Sequence, residues 1–434
     1  MTPSPISDPL LSILQPSRDQ RLRRLLTHVH RQVPHGRDLF RRAALNPEDI
    51  GGVEDLQRLP LTSKAERQAL PPEAFLARDH RHTALIDRST SGSTGQRMAV
   101  KRTWMEERLL NLFRWRALIA YGLRPCDRVA VAQFHARMDP ADGQILMRCA
   151  QALKVLEWRI IDVLGQPFPE AEASAFRPSV LTGMTSAIAM LASGFSCQSN
   201  HASHVRPRFV ATGGELLTPT LRAEIARLGV PIYDLYGCNE VNLVAWECPA
   251  GTGFYHLCED SVVVEIVDAA GRPVREGELG EVVITSLLSF AMPFVRYRVG
   301  DRAIRGPRRC PCGAATATLQ SLQGRTIDLF VLEGGERLHP WEILNEIRGQ
   351  MGWIRAFQLV QTLRDHVELM VWPFRSPAAD ECVSLNSAVR RALRGRASFS
   401  VRLRQGGEPD RLPSGKVHMF VPLPPDPSSP LSIG

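Results

Sequence analysis

The stretch "MAVKRTWMEERLLNLFRWRALIAYG", residues 98 to 122, combines the periods of a strand and of a helix, and it decides the fold class. Its first part, "MAVKRT", alternates as a half-buried strand does. Thr103 and Glu106 then form the capping box that marks the start of a helix. The stretch is therefore one βα unit, and the apolar residues of its helix recur at helical spacing: Leu109, Leu110, Phe113, Ala117 and Ala120.

Short apolar runs alternate with helical patterns downstream of this unit, which predicts a parallel or mixed sheet covered by helices. From about residue 245 to 305 the pattern becomes all strand, with a turn at "AAGRP", and predicts a β-rich subdomain. The strands and helices predicted before it are "DRVAVAQF" (127–134), a helix near 142–154, "EWRIIDV" (157–163), "SVLTGM" (179–184), a helix to about 193, "PRFVAT" (207–212), a helix from Thr218 and "PIYDLY" (231–236).

A boundary region near residues 305–326 carries neither period for long. The elements after it follow the order ββαββαβ over about 100 residues, enough for a small domain. The sequence thus predicts an α/β fold: a large domain over 1–324, made of helix-covered mixed sheets plus the β-rich subdomain, and a small mobile α+β domain over 325–422. The Pro/Ser-rich tail, 423–434, is predicted to be disordered.

The composition of this chain of 434 residues indicates its cellular location and the kinds of partner that it can bind. Its N-terminus has no basic region before an apolar stretch and its nine cysteines are scattered, which predicts a reducing, cytoplasmic location. The most apolar window, residues 179–195, is interrupted by polar residues and predicts no membrane segment. The net charge of +8, without a lysine/arginine tract, fits a phosphate-bearing small ligand or a weak nucleic-acid surface equally well.

The segment "RSTSGSTGQR", residues 88 to 97, lies between two predicted strands and contains no apolar side chain. It is not a Walker loop, because Gly95 is followed by Gln96 and the required lysine is missing. Its hydroxyls, backbone N–H groups and glycines nevertheless suit phosphate oxygens. A flexible linker is the alternative that this segment alone leaves open.

Further motifs stand at predicted strand ends, where ligands bind in α/β folds. "ATGGELL" (211–217) and "DLYGCNEVN" (234–242) follow strands of the predicted sheet, and "YRVGD" (297–301) ends a strand of the β-rich part. "LQGRTIDLF" (322–330) opens the small domain, and "RLPSGK" (411–416) places one lysine in a turn. Taken singly, their charged residues are equally well explained as surface carboxylates, a solvated arginine and a turn lysine.

These motifs, in this order, resemble those of the adenylate-forming superfamily of acyl-CoA synthetases, peptide-synthetase adenylation domains and luciferases. The resemblance covers about residues 85 to 420. Total length and the "CPCG" at 310–313 are similar to the phenylacetate-CoA ligase branch of that superfamily.

The resemblance implies an ATP site. The phosphate loop would hold the β- and γ-phosphates, and Asp301 would accept hydrogen bonds from the ribose hydroxyls. Arg325 would reach the ribose or phosphate side. The loop residues are Ser91, Gly92, Ser93, Thr94 and Gly95, and the residues that would frame adenine and the back of the acid pocket are Gly213, Gly214, Glu215, Tyr236 and Gly237.

The resemblance also implies the catalytic groups. Glu240 would hold Mg²⁺, which offsets phosphate charge during attack of the carboxylate on the α-phosphorus. Lys416 would bridge carboxylate and α-phosphate oxygens as pyrophosphate leaves. Phe134 and His135 match a position against the substrate, for which a structural histidine is the alternative, and Cys238 is expected to shape the pocket.

The resemblance implies an enzyme that uses Mg·ATP to convert a carboxylic acid into an acyl adenylate and then transfers the acyl group to CoA. The branch it resembles implies that this acid is an aryl or arylacetic acid. The expected partners are therefore the small acid, ATP and CoA, with neither nucleic acid nor membrane; a homodimer stays open. One alternative is delivery to a carrier protein, an amine or another nucleophile. The other is a non-catalytic nucleotide- or nucleic-acid-binding protein.

Two positions depart from the family pattern. Gln96 replaces the lysine common after the phosphate loop, so we expect ATP binding to depend more on Mg²⁺ and Lys416. Ile327 stands where the hinge of the small domain usually has a polar residue, with Asp328 following. Because that residue takes up the domain rotation, adenylation is predicted more firmly than thioester formation.

The cysteines suggest a second metal. Cys248 and His256 are separated by seven residues and Cys310 and Cys312 by one, and both pairs flank predicted strands of the β-rich part. Three thiolates and one imidazole would complete a tetrahedral structural zinc site. Unpaired buried cysteines are the open alternative, and Cys258 competes for one ligand position.

Overall fold

The computed structural model describes residues 17–81, 84–89, 98–133, 156–163, 169–197, 206–217, 219–325, 330–338, 340–347, 353–373, 375–404 and 420–423. The described residues up to Gly324 form one unit, and those from Arg325 form a second. Within the described ranges, no helix combines the length and the apolar composition that crossing a bilayer requires.

The first helices pack on the β-rich part of the first unit. The N-cap of the first helix is Ser17, whose hydroxyl accepts from the backbone N–H of Gln20. Leucines 22, 25 and 26 of this helix are fully buried in a cluster with Val263 and Leu287. The helices are α1 (Arg18–Gln32), α2 (Pro34–Ala43) and α3 (Lys64–Ala69), with 3₁₀ turns at Pro47–Asp49, Val53–Arg58, Pro72–Ala74 and Arg78–His80.

Two strands flank the serine- and glycine-rich segment in sequence. They are β1 (Ile86–Ser89) and β2 (Ala99–Arg102), which pair antiparallel with Ser89 opposite Ala99. β2 leads into α4 (Trp104–Ala120), and the predicted capping box is confirmed by the hydrogen bonds that Thr103 and Glu106 exchange. Leu110, Phe113 and Ala117 of α4 are buried, as the helical period predicts.

Eleven strands of the first unit form one sheet, in the order β10-β11-β12-β13-β9-β8-β7-β6-β5-β3-β4. β3 to β7 run parallel, and pairing turns antiparallel between β7 and β8. The strands are β3 (Asp127–Gln133), β4 (Leu156–Asp162), β5 (Val180–Met184), β6 (Phe209–Gly213), β7 (Ile232–Cys238), β8 (Asn242–Glu247), β9 (Tyr255–Leu257), β10 (Val262–Val267), β11 (Leu279–Ser286), β12 (Tyr297–Arg305) and β13 (Thr318–Arg325).

The parallel strands alternate with helices, and the second unit has the order of elements that its sequence predicts. The helices between β4 and β7 are α5 (Pro169–Phe176), α6 (Thr185–Cys197) and α7 (Pro219–Ile225), with a 3₁₀ turn at Ala226–Leu228. The second unit contains β14 (Phe330–Val331), a 3₁₀ turn at Glu333–Gly335, β15 (Arg337–Leu338), α8 (Pro340–Ile347), β16 (Ile354–Leu363), β17 (His366–Pro373), α9 (Ala379–Leu393), β18 (Ser398–Leu403) and β19 (Phe420–Val421).

The mixed α/β class is confirmed, with two refinements. The β-rich region is continuous with the parallel strands, because β8 pairs with both β7 and β9. The boundary region contains β13, which does not alternate between buried and exposed residues, since Thr318 and Leu319 are both buried. The helix predicted near 142–154 and most of the tail from residue 423 lie outside the described residues.

Candidate active site

Parts of the predicted site lie outside the described residues. They are the phosphate loop with Gln96, the substrate pair Phe134 and His135, the hinge position Ile327, and Lys416. Arg325 is the last residue of β13. The remaining predicted positions of this site belong to the first unit: most lie at or just after the carboxyl ends of the parallel strands β6 and β7, and Asp301 lies in the antiparallel strand β12.

The end of β7 brings together four predicted side chains. The hydroxyl of Tyr236 donates to Oδ2 of Asp301 at 2.7 Å, although the two residues are 65 positions apart. Burial raises the pKa of the Cys238 thiol well above its usual value, and the carboxylates of Glu240 and Asp301 raise it further. Cys238 is thus a protonated thiol between two carboxylates, which agrees with a pocket-shaping side chain rather than a nucleophile.

Glu240 lies in the turn between β7 and β8 and is 3% exposed. Its Oε2 atom is buried and has no hydrogen-bond partner among the described residues. An orphaned carboxylate oxygen is costly to bury, so such an atom is expected to meet a ligand. The site therefore fits a bound cation.

Glycines hold the backbone around these side chains. A Cβ at Gly237 would collide with the carbonyl oxygen of Asn242 across the turn. Gly214 adopts φ +77°, which other residues rarely do. Glu215 accepts hydrogen bonds from the backbone N–H and the hydroxyl of Ser186. Its carboxylate therefore binds the first turn of α6, a contact that the sequence did not indicate.

A buried arginine that the sequence did not single out lies near Glu240. Arg67 of α3 is 8% exposed, and its guanidinium lies 3.9 Å from the ring centre of Phe294 and 4.6 Å from that of Phe75. Burial lowers the pKa of Arg67 to about 10, and the charge of Glu240 acts in the opposite direction. Arg67 is therefore a cation at neutral pH, and no local sequence signal separates it from its neighbouring arginines.

A second group of side chains missed by the sequence centres on Glu107 of α4, which is 5% exposed. Arg88 of β1 donates to Oε1 of Glu107 at 2.8 Å, and Arg102 of β2 donates to Oε2 at 2.9 Å. Arg102 also donates to the backbone carbonyl of Asn239. We call Arg88, Arg102, Glu107, Asn111 and Asn242 the Glu107 network, because Asn111 contacts both Glu107 and Asn242.

The four predicted zinc ligands lie in one place. Their ligand atoms fall within 4.8 Å of one another. Sγ of Cys310 is 3.7 Å from Sγ of Cys248, and Sγ of Cys312 is 3.4 Å from Nε2 of His256. Ligands around a tetrahedral zinc ion, with Zn–S of about 2.3 Å and Zn–N of about 2.0 Å, would lie about 3.8 Å and 3.5 Å apart. The spacing therefore fits zinc.

The imidazole of this cluster is in the form that binds a metal, whereas burial raises the pKa of the Cys312 thiol to about 11, so a metal ion would displace the proton of that thiol. Burial lowers the pKa of His256 to about 4, and Arg116 lowers it further, so the imidazole is neutral at pH 7. Cys258, the competing candidate, lies outside the cluster. Burial raises the pKa of its thiol to about 12, against the influence of Arg116.

Comparison with known proteins identifies relatives of this chain. No family model matches the chain. The chain is 29% identical over 328 residues to the phenylacetate-coenzyme A ligase of Thermus thermophilus, covering 74% of this chain and 72% of that protein. It is 28% identical over 378 residues to the phenylacetate-coenzyme A ligase of Escherichia coli, covering 84% and 83%.

Solved structures share the fold. The structure of 2-hydroxyisobutyryl-CoA ligase in the postadenylation state aligns with a TM-score of 0.66 at 20% identity, covering 91% of this chain and 87% of that one. The same ligase, solved with 2-HIB-AMP and CoA in the thioesterification state, aligns with a TM-score of 0.61 at 21% identity, covering 92% and 90%. In sequence the chain is thus similar to phenylacetate-coenzyme A ligases over most of its length, and it shares the fold of an adenylate-forming CoA ligase.

Proposed function

We propose that this protein is an AMP-forming acid–CoA ligase that acts on an aryl or arylacetic acid. One observation carries the proposal: Tyr236, Cys238, Glu240 and Asp301 converge at the carboxyl end of β7, in a chain that is similar to phenylacetate-coenzyme A ligases. The acid class follows from the relatives, which are named phenylacetate-coenzyme A ligases.

The reaction has two steps. A carboxylate oxygen of the acid attacks the α-phosphorus of ATP, the bond to the β-phosphate breaks, and pyrophosphate leaves. The thiolate of CoA then attacks the acyl carbonyl carbon, and the bond between that carbon and the adenylate oxygen breaks. AMP leaves with this oxygen, which came from the acid.

Glu240 is the side chain that would hold Mg²⁺. Its orphaned oxygen supports this assignment, because Mg²⁺ binds one or two protein carboxylates together with substrate phosphates. The ion supplies positive charge that offsets the charge on the phosphates. The Arg67 cation interacts electrostatically with the same carboxylate from within the protein, so the charge of Glu240 is partly balanced before a metal ion binds.

Asp301 is the proposed ribose acceptor. Its Oδ2 accepts from Tyr236 at 2.7 Å, and a carboxylate has further lone pairs for ribose hydroxyls. Lys416 is the proposed donor to the charge that develops on the α-phosphate, and Arg325 the proposed donor on the ribose or phosphate side. Phe134 and His135, directly after β3, remain the proposed acid-pocket pair; Gly213, Gly214 and Glu215 remain the proposed adenine frame.

We further propose that Cys248, His256, Cys310 and Cys312 bind a structural zinc ion. Cys248 follows β8, His256 belongs to β9, and the other two cysteines lie between β12 and β13. A tetrahedral zinc ion at this place would crosslink the ends of three strands of the sheet. Protein side chains would occupy all four of its coordination positions. This zinc would support the fold and take no part in the two chemical steps.

Adenylation predicts exchange of labelled pyrophosphate into ATP that depends on the acid. We expect exchange with at least one aryl or arylacetic acid in a panel, and a loss of about 100-fold or more in Lys416→Ala, because one stabilising donor is removed. The matched control is Lys101→Ala, whose side chain forms an ion pair with the exposed Asp87 within the described part of the chain. Absence of exchange with every acid, or equal rates in wild type and Lys416→Ala, would overturn the proposal.

The acceptor is tested in the same preparation by AMP release with and without CoA. We expect CoA to accelerate AMP release and a thioester to form. AMP release that is indifferent to CoA would reject the CoA ligase and leave a carrier protein or an amine as the acceptor.

Zinc predicts roughly one metal ion per chain by elemental analysis. A Cys310→Ser/Cys312→Ser variant is expected to lose the ion and to unfold at a lower temperature, since structural zinc contributes to folding. Cys382→Ser, in α9, is the control and should retain both zinc and stability. A wild-type protein that is fully folded and free of zinc contradicts the assignment.

A further inference from the structure

The Glu107 network connects the two parts of the proposed ATP site that come from different regions of the sequence. Arg88 and Arg102 lie on the two strands that flank the serine- and glycine-rich segment. Both donate to the same buried carboxylate on α4. The side chain of Glu107 thus fixes both ends of the strand pair to one helix.

The same network holds both sides of the turn that carries Glu240. On one side, Arg102 donates to the carbonyl oxygen of Asn239. On the other side, Nδ2 of Asn242 donates to Oδ1 of Asn111 at 3.0 Å, and Asn111 contacts Glu107 at 3.4 Å. The residue between these two anchors whose carboxylate is buried with an orphaned oxygen is Glu240.

We propose that Glu107 is a positioning residue for the ATP and Mg²⁺ site, setting the turn with Glu240 against the strands that flank the phosphate loop. The inference rests on the proposed function. Its physical basis is that a buried carboxylate with two guanidinium partners has one low-energy arrangement. Burial acts to raise the pKa of Glu107, but Arg102 and Arg88 lower it more, so the group is ionised at neutral pH.

The position of Glu107 offers a matched control. Glu106 is the adjacent residue in the same helical turn and is equally buried, at 6% against 5%. Its carboxylate caps α4 and accepts from the backbone N–H groups of Phe290 and Ala291. These three hydrogen bonds of Glu106 do not involve the turn that carries Glu240. A merely structural role predicts the same kinetics for both variants.

Glu107→Gln is expected to lower kcat/KM for ATP by about 100-fold, as a small misplacement of a reacting group does. It should also raise the Mg²⁺ concentration needed for half-maximal exchange and leave the KM for the acid unchanged. Glu106→Gln should lose thermal stability and keep wild-type values for ATP and Mg²⁺. If Glu107→Gln does not fold, Arg88→Lys keeps the charge but loses the paired geometry and should show the same ATP-specific loss.

The readouts separate this inference from the proposed function. Wild-type exchange tests the function, whereas direct binding of Mg·ATP by calorimetry tests the network even without turnover. Equal Mg·ATP affinity in wild type, Glu107→Gln and Arg88→Lys would overturn the positioning role, as would equal losses in the Glu106 and Glu107 variants.

A separate observation points to a further metal site at the N-terminal helices. His28 of α1 and Asp79 and His80 of the 3₁₀ turn place ligand atoms within 4.8 Å of one another. Nδ1 of His28 lies 3.9 Å from Oδ2 of Asp79, and Nδ1 of His80 lies 2.9 Å from Oδ1 of Asp79. All three side chains retain access to solvent.

The ring of His28 is oriented for a metal. Its Nε2 lies 3.0 Å from the backbone carbonyl oxygen of Phe290. A carbonyl oxygen only accepts, so Nε2 donates to Phe290 and Nδ1 is the ring nitrogen that faces Asp79. A second ring nitrogen held by a backbone carbonyl is the usual support of a metal-ligating histidine.

We infer that His28, Asp79 and His80 bind a divalent transition metal ion such as Zn²⁺, Co²⁺ or Ni²⁺, the ions that imidazole and carboxylate ligands favour. Nickel is the probe. Calorimetric titration of the wild type with Ni²⁺ should show binding that becomes at least about 10-fold weaker in His80→Ala and that is unchanged in His30→Ala. His30 lies on the same helix, and its ring packs against Phe40.

The cysteine cluster is intact in all three proteins, so any Ni²⁺ that it binds cancels in the comparison. Binding should also raise the melting temperature of the wild type and of His30→Ala, but not of His80→Ala, by mass action. Equal Ni²⁺ affinity in wild type and His80→Ala, or no difference in the melting shift, would overturn this site. Neither result bears on the ligase reaction.

Discussion

The burial of the Glu240 carboxylate is the constraint on which the site depends. A charge taken out of water must find a partner of opposite sign or become neutral. Glu240 has the Arg67 cation nearby and one oxygen without a hydrogen-bond partner among the described residues. This unpartnered oxygen favours the binding of a cation next to Glu240. A cation bound there would in turn favour the binding of phosphate groups. The proposed affinity for Mg·ATP therefore originates in a buried carboxylate with one unpartnered oxygen.

The sheet brings the other groups to this carboxylate. Parallel strands present their carboxyl ends at one edge, and the direction of pairing changes where β7 meets β8. The turn at this change carries Glu240, and the residues just before it supply Tyr236 and Cys238. Because β12 belongs to the same sheet, Asp301 reaches Tyr236 from a distant part of the sequence. The antiparallel half of the sheet therefore contributes to the site as directly as the parallel half.

What the sequence could predict was local. The capping box of α4 and its buried face follow from spacing within one helix. The strand-end rule marked β7 as a place for a ligand, but the roles of its residues were expected from the resemblance to a known family. The joining of the eleven strands into one sheet could not be predicted, because the local sequence of a strand does not indicate which other strand it pairs with. Arg67 and Glu107 were missed for the same reason: each acts through contacts with residues far along the chain. Spacing did group the three cysteines and the histidine that we propose bind zinc, because each pair borders strands that are neighbours in the sheet.

The central claim is that a carboxylate oxygen becomes bonded to the α-phosphorus. It is tested most directly by supplying an acid that supports exchange, labelled with ¹⁸O in its carboxylate, and locating the label by mass spectrometry after turnover with ATP and CoA. The account predicts one ¹⁸O atom in each AMP released and none in pyrophosphate. Label in inorganic phosphate, with ADP as the nucleotide product, or AMP without label, would contradict it.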